Sequence, residues 1–163
     1  MQHEEDKVNI IDPNADTSSR HFTLRKDEKL RHRSLVERLF REGNSVFEFP
    51  IRMMWRILSA DELSANFRDC VPPRIGKLQM MVTVPKKKRR HAIDRVLMRR
   101  RIREAYRLNR LPIKDALAGM PEVGTLGVAF VYVHTENVDY AKIEKKMKIL
   151  LSRIDREITG YVK

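Results

Sequence analysis

"GKLQMMVTVPKKKRRHAIDRVLMRRRIREAYRLNR", residues Gly76 to Arg110, changes its period halfway along. The first part alternates, with Leu78, Met80, Val82 and Val84 on one side and Gln79, Met81 and Thr83 on the other, as a strand does. From Ala92 to Leu108 the spacing is helical instead. At about 100° per residue Met98, Ile102 and Ala105 share one narrow sector, with Tyr106 at its edge. That sector is the face that packs on the sheet, so a strand feeds a helix that lies back against it.

The rest of this helix is cationic. Arg95, Arg99, Arg103 and Arg107 stand four apart and form a ridge climbing roughly 6 Å per step, with Arg100 beside it. Each like-charged pair at this spacing costs a few tenths of a kcal/mol, so the three pairs sum to about 1 kcal/mol, partly offset by Glu104. From Lys86 to Arg110 twelve lysines and arginines face two acids, Asp94 and Glu104, which accounts for nearly all of the net charge of +12. With a pI of about 10.1, the pattern points to a polyanion, nucleic acid before an anionic membrane surface. Guanidinium forks suit phosphate oxygens, and the run Lys86, Lys87, Lys88, Arg89 and Arg90 extends the track.

Working outward, "TLGVAFVYV" (125–133) reads as the central strand, being almost wholly apolar, β-branched or aromatic. A helix from about Asp139 to Ile158 buries Ile143, Met147, Leu150, Leu151, Ile154 and Ile158. "LPIKDALAG" is a short helix opening at Pro112. Upstream, "SVFEFPIRMMWRIL" reads as one strand with Ile51, Met53, Trp55 and Ile57 on one face. Ser34 and Glu37 have the spacing of a capping box for a helix through Leu35, Val36, Leu39 and Phe40, which stops at Gly43. Phe22, Leu24 and Leu30 anchor the chain ahead of it. Residues 59–75 are a connection with room for a short element. Residues 1–20 read as a disordered tail and 21–160 as one RNA-binding domain. The order of elements gives an α/β (α+β) sandwich, helices packed on one sheet.

The sequence excludes several chemistries. No apolar run approaches the roughly 20 residues of a membrane span, and the N-terminal stretch lacks the pattern of a secretory signal. A soluble, cytoplasmic protein is expected. The five histidines and the lone Cys70 have no metal-ligand spacing, and no Gly-rich phosphate loop precedes a helix. Asp94 and Glu104 read as local ion-pair partners, and Trp55 and Phe130 most simply as core.

From about Phe22 to Ile158 the sequence resembles the protein subunit of bacterial ribonuclease P. The likeness rests on "FTLRKDEKL", on "LVERLFREGNS" ahead of a strand, and above all on "VTVPKKKRRHAIDRVLMRRRIREAYR". It implies a small two-layer sandwich with a left-handed βαβ crossover, an exception to the usual handedness. It also implies an accessory role in removing the 5′ leader of precursor tRNA. The phosphodiester chemistry would lie in a catalytic RNA that holds the Mg2+ ions, with no catalytic residue on the protein. Carried over by position, Arg95, Arg99, Arg100 and Arg103 would contact that RNA. Lys86 and Lys87 would stand near the leader cleft, and Phe40 would line it. Val36 takes the place of a second cleft aromatic, and a third falls at Met54 or Trp55. The departure is at Arg95-Val96-Leu97, where the family commonly has Arg-Asn-Arg. The rival reading is a general RNA-binding or ribosome-associated protein that uses the same helix without a nuclease partner.

Overall fold

A computed structural model describes residues 22–68 and 70–161; the tail expected at 1–20 lies outside them. After a 3-10 turn at Lys26–Glu28, the elements are α1 (Arg33–Glu42), β1 (Asn44–Glu48), β2 (Ile51–Ser59), α2 (Ala60–Asn66) and β3 (Leu78–Thr83). They continue with α3 (Ala92–Asn109), α4 (Leu111–Ala118), β4 (Val123–Tyr132) and α5 (Tyr140–Tyr161).

The strands form one sheet in the order β1-β2-β4-β3. β4 is central, antiparallel to β2 and parallel to β3. A parallel pair needs a crossover, and α3 with α4 supplies it. One face of the sheet carries Ile51, Met53, Trp55, Leu78, Met80, Leu126, Val128 and Phe130. These pack with Met98, Ile102, Ala105 and Tyr106 of α3 and with the six expected residues of α5. The opposite face is covered at one end only, where Leu35 and Leu39 of α1 and Leu63 of α2 meet Leu58, Ala129 and Leu30. The α/β architecture expected from the sequence is therefore present, with the larger helical layer on one side.

Three local expectations are corrected. "SVFEFPIRMMWRIL" is two strands, an antiparallel hairpin pairing Glu48 with Ile51 across a two-residue turn at Phe49-Pro50. The Ser34/Glu37 capping box does not form, because α1 begins two residues earlier than that cap requires, at Arg33. Glu37 pairs with Arg33 at 2.7 Å, and the Ser34 hydroxyl accepts from Asn66. The capping box of this region belongs to α2: the Glu62 amide donates to Ser59 Oγ and the Ser59 amide to Glu62 Oε2. Helix α1 does end at Gly43, though without a left-handed residue (φ −71°). Glycine is needed there for space, since a Cβ would fall 2.3 Å from the Leu39 carbonyl oxygen.

The N-terminal segment is fastened by charge. Arg110, wholly buried, donates through Nε to Glu28 Oε1 at 2.9 Å and through its other nitrogens to the Arg107 and Thr23 carbonyls. Lys114 adds a second cation to Glu28 at 3.3 Å. Burial works to raise the Glu28 carboxyl, but hydrogen bonds from Arg110 and the Arg25 amide, with the charges of Arg110 and Lys114, hold it below its ordinary value. The buried pair ties residues 23–30 to the α3–α4 junction. The Leu30 amide then donates to the Met80 carbonyl, at the outer edge of β3.

Candidate nucleic-acid interface

The twelve basic residues of the block divide by what lies within their reach. Five turn back onto the protein. Arg89 pairs with Asp94 at 3.0 Å and donates to the Thr135 carbonyl. Arg95 donates to the carbonyls of Arg89 and Arg90, and Arg101 to that of Val138. Arg107 makes two bonds to Glu104 and one to the Phe22 carbonyl. Arg110 is the buried partner of Glu28. The hydrogen bond from Asn137, with the Arg89 charge, keeps Asp94 below the ordinary carboxylate value, and Arg107 does the same for Glu104. Both acids are therefore ionised at neutral pH, and both pairs persist.

Seven basic residues remain: Lys86, Lys87, Lys88, Arg90, Arg99, Arg100 and Arg103. None has an ion pair or side-chain hydrogen bond to a described residue, and all are exposed but Arg99, which is partly buried. Arg95 and Arg107 stand on the ridge and hydrogen-bond to internal partners, and Arg89 is a clamp that holds the Lys86–Arg90 loop to the segment after β4. Only Arg107 has a counter-charge, Glu104, so the Arg95/Arg99 and Arg99/Arg103 pairs still repel and the strain stays at several tenths of a kcal/mol.

A depression of about 780 Å³ lies where α3 passes the β3 edge, lined by Leu30, Met81, Arg100 and Arg103 and by Lys29 and Arg31. Lys29 and Arg31 were not singled out from the sequence. Their signal was the basic character of "RKDEKLRHR", here read only as an anchor. Around the same Leu30 and Met81, on the sheet face under α1, Val36 and Met54 pack as partly buried neighbours. Phe40 of α1 is 41% exposed. The sheet face under α1 and the cationic depression thus share Leu30 and Met81. Trp55 is not part of it: its side chain points to the other face and is 8% exposed among core residues. Strand alternation separates it from Met54, so Met54 alone is left of that pair.

Val96 and Leu97 are both exposed, as is Ile93 at 79%. The outer face of α3 therefore carries an apolar strip between its arginines. Among the described residues no three His, Cys, Asp or Glu side chains converge on a common point, and no helix is long and apolar enough to cross a membrane.

A sheet with one half-open face, flanked by a helix whose outward cations have no ion-pair partner among the described residues, has the make-up of a small basic protein suited to a polyanion. A family profile described as Ribonuclease P matches residues 24–155. Ribonuclease P protein components from two strains of Porphyromonas gingivalis are each 33% identical over 138 residues, covering 85% of this chain and 90% of theirs. The ribonuclease P protein from Thermotoga maritima has the same fold, with a TM-score of 0.53 at 21% identity over 77% of this chain and 96% of that one. The chain belongs to the family of bacterial ribonuclease P protein components. It is the accessory subunit of an endoribonuclease that processes the 5′ ends of tRNA.

Proposed function

We propose that the catalytic RNA docks on the seven outward cations of the basic block, and that the single-stranded leader of precursor tRNA runs through the cleft between α1 and the sheet. The observation that carries this is the division of the block. Side chains that merely solvated a surface would alternate in sign, whereas these seven make no ion pair with a described acid and lie near a half-exposed aromatic, Phe40, on α1. Base stacking on such a ring is worth roughly 1–3 kcal/mol. The Mg2+ ions of the reaction belong in this reading to the RNA, which carries the phosphodiester chemistry. The complex acts in the cytoplasm.

The test is binding against salt. Arg99→Ala with Arg103→Ala is expected to weaken binding of the catalytic RNA and to flatten its dependence on log salt by about 0.7–0.9 per lost phosphate contact. An unchanged slope would move the docking face off α3. Phe40→Ala is expected to weaken precursor tRNA more than mature tRNA, and equal losses would take Phe40 out of the leader path.

A further inference from the structure

The open end of the sheet carries aromatic side chains that neither the core nor the α1 cleft uses. Phe47, near the end of β1, and Phe49, in the β1–β2 turn, are each 50% exposed, with ring centroids 6.5 Å apart. His134, just past β4, stands 4.9 Å from Phe49, ring to ring. Arg52, opposite Phe47 in the hairpin, lays its guanidinium 5.8 Å from the Phe47 ring centre. Arg52 has no ion pair or hydrogen bond to a described residue, so its donors face outward. Glu136, the acid beside this group, stands against His134 at 3.9 Å.

The strand registers tie this tip to the proposed leader path. Phe47 pairs with Arg52, Arg52 with Val131, and Val131 with Thr83. The four form one row across the whole sheet, on the face that holds Met54. Three interstrand gaps make the row about 14 Å wide. At its far end Lys86 follows Thr83 by three residues. The row therefore runs from two half-exposed rings to the lysine run, past the open mouth of the α1 cleft.

We propose that the β1–β2 hairpin tip is a second single-stranded RNA subsite. Leader bases beyond those under α1 stack on Phe47 and Phe49, and Arg52 binds a phosphate oxygen. The inference rests on the reading of the α1 cleft as the leader path. Rings at half exposure beside an unpaired guanidinium combine the stacking surface and the cation that sequence-tolerant single-strand binding uses, and the lysines at the other end of the row match a polyanion rather than an apolar peptide.

The experiment measures the affinity of holoenzyme, reconstituted with a bacterial ribonuclease P RNA, for precursor tRNAs with leaders of about 4 and about 12 nucleotides, within the span of single-strand sites. The double variant Phe47→Ala, Phe49→Ala is expected to weaken the long-leader substrate about 5-fold or more and leave the short one unchanged. That loss is expected to vanish when the upstream nucleotides are abasic. Arg52→Gln, which keeps both rings, is expected to flatten the salt dependence for the long leader alone. If Phe40→Ala weakens both substrates while the double variant weakens neither, the cleft stands and the hairpin subsite is overturned. If both are silent, the cleft reading falls and the subsite with it.

Discussion

Arg99 and Arg103 differ from Arg95 and Arg107 only in what lies one turn away. The wheel puts all four on one ridge, and that much is legible in the sequence. What it cannot give is the position of the Arg89 and Arg90 carbonyls, or the rotamer that brings Glu104 to Arg107 and not to Arg100. The same limit applies to Met54 and Trp55: alternation says they oppose each other, but only the sheet register says which one faces α1. Leu97 offers a gain-of-function test at this scale. It is exposed in the middle of the outward cations, at the position where the resemblance to the family implies an arginine. Leu97→Arg is expected to tighten binding of the catalytic RNA at low salt and steepen its log-salt slope by up to about one unit. A slope equal to the parent's would mean that this turn of α3 does not face phosphate.

At the scale of elements, the long periodic segments were legible. The apolar face of α5, the strand β3 and the apolar run of β4 lie where their patterns place them. The misses are the short pieces. The β1–β2 hairpin turns on Phe49-Pro50, without the Asn-Gly or Gly-containing pair that signals a tight hairpin, so the two strands read as one. Helix α2 has a single buried residue, Leu63, too little for a period, although Ser59 and Glu62 carried its cap. Two contacts between elements make predictions. Arg89 clamps the Lys86–Arg90 loop without facing outward, so Arg89→Ala is expected to raise amide hydrogen exchange across residues 85–91 and to lower RNA affinity with a smaller change in salt slope than Arg99→Ala. Glu28→Gln leaves Arg110 buried without its counter-charge, which is expected to cost about 3–5 kcal/mol of stability in denaturant unfolding. The folded-state pKa of Glu28 is depressed, so its contribution is present above the ordinary carboxylate value of about 4.3 and is lost as pH falls through the lower folded value. The variant is expected to lack that part of the acid-side loss.

For the whole molecule, the charge reading and the family resemblance carried the function, and the structure supplies the arrangement. A four-stranded sheet ordered β1-β2-β4-β3 cannot be read from local pattern, because the β3–β4 pairing bridges residues more than forty apart through α3 and α4. That order brings the cationic helix, the Met81 edge of β3 and the α1 cleft around one rim. In the proposed reading the subunit binds on two sides, RNA at α3 and leader at the sheet, and its effect on cleavage comes from joining them. Reconstitution with a bacterial ribonuclease P RNA and precursor tRNA at low magnesium tests this most directly. The account predicts that leader release is faster with the protein than with RNA alone, and that the protein without RNA leaves the substrate intact. No stimulation, or cleavage by the protein alone, would contradict it.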